Sequence, residues 1–267
     1  MIKLITSTGR VGDRTDKKLK GVSILSEAIE EKYGINAQLI GEAFPIANDQ
    51  WKEALEQANN TLLKVKYTID QNIQNNYLTL LLSNACALSL GTIPTVITKF
   101  PRVKVLWIDA HADFNTPDTS DSGFLSGMVL AGVCGWWDSG HGAGLDPEQA
   151  LIIGARQFDD LEYDLITRSN IKIMKPKEFS IKEILDFLAD DPVWIHIDWD
   201  VLEPGYLYED HPVESGLLPS QIKDTLSMIA KEKILGIELA EFNAVIDESV
   251  NQNSIELILD LISPILD

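Results

Sequence analysis

Basic residues are scarce in this 267-residue chain: 22 Lys and Arg stand against 41 Asp and Glu, a formal charge of −19. A field of that sign repels a polyphosphate backbone, so no nucleic-acid partner is expected; it suits cationic ligands and divalent metals. Cysteine is scarcer still. The two present, Cys86 and Cys134, cannot build a disulfide framework, which makes a reducing cytoplasm the expected compartment. A cationic segment followed by a long apolar core is missing at the start, so no signal peptide is expected. The 20 uncharged residues Leu78–Ile97 contain Ser83, Asn84, Gly91 and Pro94. They read as a buried strand, a turn and a helix rather than a membrane span. Repeats, low-complexity tracts and linkers are absent, and a single domain is expected over 1–267.

What is present is alternation. Short apolar runs at Ile2–Thr6, Ala37–Ile40, Leu78–Leu82, Val103–Asp109, Ala150–Gly154, Ile171–Met174, Val193–Asp198 and Leu235–Glu241 read as strands. Amphipathic segments lie between them at Lys17–Tyr33, Gln50–Val65, Phe124–Cys134, Leu161–Arg168, Ile181–Ala189, Pro219–Lys231 and Val250–Leu261. Runs such as Val103–Ile108 are apolar on both faces, as strands covered by helices on both sides should be. An α/β fold with a parallel sheet follows, with a closed eight-stranded barrel as the competitor. In either, ligands bind beyond the carboxyl ends of the strands.

Two strand ends carry the chemistry. The first continues as Asp109-Ala-His111-Ala-Asp113-Phe-Asn115, and the second is His196-Ile-Asp198-Trp-Asp200. Four carboxylates and an imidazole leaving two strands together outline a site for one or two Mn²⁺-like ions. A solvated acidic loop or a helix cap is the simpler alternative for either run taken alone. Other histidines carry less. His196 is expected to point away as a satisfied core residue, and His141 to sit in a flexible loop. Trp199 is expected to pack, or to wall the site.

At this point the sequence resembles a known family. The stretch Asp109–Gly123 is similar to the arginase motif DAHxDxNTPxTSxSG, and Asp198–Pro204 to that family's DxDxxDP. Glu238–Asn243 resembles its last strand end, Ser83–Ile93 falls where the family has GGDHSxAxGTI, and Gly21-Val22 and Gly154–Arg156 complete the order. The resemblance implies a three-layer αβα fold on an eight-stranded parallel sheet, a single ureohydrolase-like domain, and metal-dependent hydrolysis of a small cationic guanidino substrate releasing urea. It implies one ion on Asp109, His111, Asp198 and Asp200, and a second on Asp109, Asp113, Asp198 and the position of Cys86. The ions would be Mn²⁺, one or two, with Zn²⁺ possible. Glu241 would grip the guanidinium, with Asp113 beside it in catalysis. Asn115, Ser122, Asp159 and Glu162 would bind the amino-acid end of the substrate. A homo-oligomer is expected on the same ground; no membrane partner is expected because the uncharged run at Leu78–Ile97 does not read as a span.

Three positions depart from the family pattern: Cys86 replaces a histidine ligand, Phe124 an asparagine, and Ser126 the proton-carrying histidine. Thiolate is a soft ligand that prefers zinc or iron to manganese. A serine hydroxyl is a poor acid or base near neutrality, so His211 becomes the candidate proton carrier. Asn115 favours an amino-acid substrate, while Phe124 argues against unmodified arginine. The alternative function is a catalytically impaired arginase-like protein that binds one metal or none and acts by binding or assembly. Amide deacetylation is a third reading and rests on fold analogy alone.

Overall fold

A computed structural model describes residues 1–267. The strands β1 (Ile2–Ser7), β2 (Ala37–Ile40), β3 (Leu78–Ser83), β4 (Lys104–Ile108), β5 (Ala150–Ile153), β6 (Lys172–Met174), β7 (Val193–Asp198) and β8 (Ile234–Ala240) form one sheet. Every pairing is parallel, and the spatial order is β2-β1-β3-β8-β7-β4-β5-β6. The sheet is open, with β2 and β6 at its edges, and is not a barrel.

The helices are α1 (Lys17–Tyr33), α2 (Trp51–Gln74), α3 (Ser89–Lys99), α4 (Val129–Val133), α5 (Asp160–Ser169), α6 (Ile181–Leu188), α7 (Pro219–Met228) and α8 (Glu248–Leu266). They cover both faces because the strands are apolar on both. Leu81 of β3 packs with Ile5 and Trp107 against Leu62 of α2 and Val96 of α3. Its neighbours Leu80 and Leu82 pack with Ile195 and Ile197 against Leu25 of α1, Leu226 of α7 and Ile258 of α8. Side chains alternate across a strand, so one run feeds two cores. Each such side chain, fully buried, is worth roughly 1.5–3 kcal/mol.

Two helices differ from expectation. Helix α2 runs on to Gln74 because its buried stripe of Ala54, Ala58, Leu62 and Val65 continues through Ile69 and Asn72. The segment 124–134 is not one continuous α-helix. It holds a single turn at Ser126–Met128 and the five residues of α4, since Gly127 and Gly132 weaken helical propensity there.

The topology places the site. After β3 the chain crosses to β4, and β7 and β8 later fill the gap between them. The carboxyl ends of β3, β8, β7 and β4 therefore meet at the reversal of strand order, where open α/β sheets bind ligands.

Candidate active site

A cavity of about 530 Å³ opens at those four strand ends. A larger hollow of about 890 Å³ lies at the other end of the sheet, where β1, β3 and β8 begin. Mainly apolar side chains line it, whereas the smaller cavity holds the acidic cluster. Its floor comes from His111 and Asp113 after β4, Asp198 at the end of β7, Asp200 just after it, and Cys86 after β3, with Asp109 buried against His111.

The donors converge in two halves. In one, His111 Nδ1 lies 2.9 Å from Asp200 Oδ2 and 3.4 Å from Asp109 Oδ1. In the other, the Cys86 thiol donates to Asp198 Oδ2 at 3.1 Å, beside Glu241. Backbone amides fix the carboxylates. His111 N donates to Asp109 Oδ1 at 2.7 Å, Ala110 N to Asp200 Oδ1 at 3.1 Å, and Asp200 N to Asp198 Oδ1 at 3.0 Å. The Trp107 indole donates to Asp109 Oδ2 at 3.1 Å. Asp113 and Glu241 are held at φ +50° and +63°, a left-handed backbone that non-glycine residues rarely adopt. Such conformations cost of order 1–3 kcal/mol each and gather at functional sites.

A cluster this dry cannot carry its full negative charge unaided. Burial raises Asp109, and the Asp200 charge raises it further. Burial and the Asp109 charge hold Asp113 well above the usual carboxylate range, and burial and Asp200 do the same to Asp198. Burial also pushes the Cys86 thiol far up, reinforced by Asp198. Burial alone would lower His111, but Asp109 and Asp200 override it and push it up to about 12. Its proton does the work of a cation. Asp113 Oδ2 is buried with no hydrogen-bond partner. Four carboxylates, one of them with an orphaned oxygen, and one imidazole fit a hard or borderline divalent ion.

The expected substrate residues line the same cavity. Asn115 Nδ2 donates to Asp159 Oδ2 at 3.0 Å. Glu162 accepts the amide of Phe114 at 2.8 Å, and burial pushes it up to about 7. Ser122 is exposed at the mouth, and His211 is exposed on the rim. Glu241 accepts the Cys86 amide at 3.1 Å and the Ser126 hydroxyl at 3.2 Å on Oε1, and pairs with Lys18 through Oε2.

Some histidines sit otherwise than expected. His196 shares a strand face with Asp198, because residues two apart point the same way. Its ring stacks on Trp107 at 3.7 Å and Nδ1 meets Glu238 at 2.9 Å, but Nε2 is unpartnered and lies in a group with Cys86 and Asp109. It is a core residue, though neither satisfied nor remote. His141 is buried rather than in an open loop, and Trp199 is wholly in the core. Lys18, Arg14 and Glu209 were not legible as site residues. Glu209 is pushed up to about 8, first by burial and then by Asp200, and accepts from Asn243 at 2.7 Å.

Comparison with known proteins gives this geometry its context. The model of the Arginase family matches residues 20–266. The chain is 46% identical to the N(omega)-hydroxy-L-arginine amidinohydrolase of Streptomyces lavendulae, across 100% of this chain and 98% of that one. It is 28% identical to the arginase of Bacillus subtilis over 86% of this chain and 85% of that protein. The crystal structure of the arginase from Bacillus cereus superposes with a TM-score of 0.85 at 27% identity, covering 99% and 97% of the two chains. The chain belongs to the arginase family, hydrolases that act on the C–N bonds of amidines.

Proposed function

We propose that the substrate is an arginine-like α-amino acid whose guanidino group carries a terminal hydroxyl. Nω-hydroxy-L-arginine is the compound named for the relative that is 46% identical over the whole of this chain. The observation that carries hydrolysis is the gathering of Asp109, His111 and Asp200 in one group and of Cys86, Asp198 and Glu241 in another at the same strand ends, with Asp113 lining the same cavity. Cys86 and Ser126 alter the guanidino end, and Phe124 replaces an asparagine that would meet the α-carboxylate, while Asn115, Asp159 and Glu162 are retained at the amino-acid end; the altered guanidino end supports a modified guanidine.

The balance is simple. Water adds to the guanidino carbon, the bond to the side-chain nitrogen breaks, and that nitrogen takes a proton. Nω-hydroxy-L-arginine then gives hydroxyurea and L-ornithine, and L-arginine would give urea and L-ornithine. Asp109, His111, Asp198 and Asp200 would hold one Mn²⁺; Asp109, Asp113, Asp198 and Cys86 would hold a second ion, Mn²⁺ or Zn²⁺. Bound there, such ions supply the Lewis acidity that makes water a nucleophile at neutral pH. Glu241 orients the guanidino N–H groups. Asn115 and Ser122 receive the α-carboxylate, while Asp159 and Glu162 receive the α-amino group. His211 delivers the proton to the leaving nitrogen from the rim.

Mass spectrometry of the products tests this reading. Mn²⁺-loaded protein given Nω-hydroxy-L-arginine should yield hydroxyurea and L-ornithine in equal amounts, and Asp198→Ala should yield neither. Product formation that survives in Asp198→Ala would refute the assignment of the floor.

A further inference from the structure

Glu241 is already occupied. Both its oxygens are spoken for, Oε1 by the Cys86 amide and the Ser126 hydroxyl and Oε2 by the ammonium of Lys18. The pair is largely sheltered, with Lys18 20% and Glu241 9% exposed at the side chain. Lys18 is not a loose surface residue that happens to reach inward. It lies in the first turn of α1, one turn before Gly21. A Cβ at Gly21 would come within 1.8 Å of the Phe242 carbonyl oxygen, so only glycine lets α1 press against the segment after β8. That contact sets Lys18 beside Glu241, the residue preceding Phe242. The Phe124 ring lies 5.8 Å from Nζ, within cation–π range, and 5.0 Å from the Arg14 guanidinium. Lys17 is drawn away to Asp210. A glycine contact and an aromatic ring thus aim one cation at the carboxylate that would receive the guanidino group.

We infer that Lys18 is a specificity-determining residue that disfavours cationic guanidinium and admits the hydroxylated, neutral guanidine. The inference rests on the substrate reading above. Arginine is cationic throughout the working range of proteins, so its guanidinium must share Glu241 with an ammonium or displace it. Two like charges crowding one sheltered carboxylate repel each other strongly. A hydroxyl on the guanidino nitrogen withdraws electrons and makes the group far less basic, so it can enter uncharged. It then donates N–H to Oε2, which accepts only from Lys18 and has a second lone pair, so Lys18 stays in place. Phe124, at the position where the family pattern has asparagine, offers its ring to Lys18 and to Arg14 alike.

The test compares Lys18→Met, which keeps the helix and the length of the side chain, with Lys18→Arg, which keeps the charge. Isothermal titration with L-arginine and with its neutral ureido analogue L-citrulline reads binding directly. Lys18→Met should bind arginine at least about tenfold more tightly than the natural protein, about 1.4 kcal/mol, with citrulline changed less than about threefold. Lys18→Arg should resemble the natural protein. The kcat/KM preference for Nω-hydroxy-L-arginine over L-arginine should fall by the same factor in Lys18→Met. Lys18→Gln provides the same comparison if the methionine variant does not fold. Unchanged or weaker arginine binding in a folded, uncharged variant overturns the inference, as does an equal loss of rate on both substrates. If the natural protein forms no hydroxyurea, the substrate reading fails by itself. If it does and arginine binding is indifferent to Lys18, this inference alone fails.

Discussion

The thiol of Cys86 donates to Asp198 Oδ2 at 3.1 Å, joining the segment after β3 to the end of β7. The thiol keeps its proton in this dry, anionic pocket, first because of burial and then because of Asp198. A divalent cation between the two would reverse that preference, since metals bind the thiolate. Protein loaded with Co²⁺ or Cd²⁺ should therefore show a sulfur-to-metal charge-transfer band in the ultraviolet. Cys86→Ser, of nearly equal volume, should remove the band and shift relative affinity towards Mn²⁺. An identical spectrum in the variant would show that sulfur does not ligate.

Metal binding should release protons. Without an ion, His111 is pushed up to about 12 and holds its proton through the neutral range. An ion needs the neutral imidazole. Affinity should rise with pH, and calorimetry in buffers of different ionisation enthalpy should detect about one proton released per ion at the His111 half of the site. Saturating metal at about 100 times its dissociation constant should add about 2.7 kcal/mol to stability. Heats independent of the buffer would contradict this.

Asp13 offers a pH test outside the acidic floor. Its carboxylate is buried, accepts the Val11 amide at 2.9 Å and a hydrogen bond from Asn84, and has Oδ1 unpartnered. Burial pushes it up to about 6. The folded chain thus holds this proton more tightly than the unfolded one, and stability is lost as pH rises from about 4 through 6. Asp13→Asn should match the natural protein near pH 4 and exceed it above pH 6, by on the order of 2–3 kcal/mol. Denaturant midpoints at the two pH values read the difference. A constant offset between the proteins would refute it.

Arg156 supports the loop that carries Asp200. Its guanidinium donates to the carbonyls of Asp200 at 3.0 Å, Val213 at 2.7 Å, Glu214 at 3.0 Å and Gly154 at 3.0 Å. Arg156→Met should cost about 2–4 kcal/mol and weaken metal binding, because buried carbonyls lose their donors. Lysine should rescue little, since it lacks the planar fork. Thermal melts with and without Mn²⁺ measure both effects.

The strands and the acidic floor were legible because each is local. Apolar runs ending in Asp109 and Asp198 state both the strand and its chemistry within a few residues. Lys18 was hidden. On an amphipathic helix it reads as part of the solvated face, and its partner Glu241 lies 223 positions away. Only the insertion of β8 between β3 and β7 brings the two together. His196 was misplaced by reasoning about distance along the strand rather than side-chain parity. Asn243, inside the Glu238–Asn243 stretch that resembles the last strand end, gave no sign that it would bind Glu209, a residue of the loop after β7.

Competition between substrates tests the central claim most directly. Mn²⁺-loaded protein, given equal concentrations of L-arginine and Nω-hydroxy-L-arginine, reports the ratio of their kcat/KM values as the ratio of urea to hydroxyurea formed. Hydroxyurea should predominate by at least about tenfold, the factor expected from about 1.4 kcal/mol of discrimination. Equal amounts, an excess of urea, or neither product would contradict the account, and the last result would favour a protein that binds without hydrolysing.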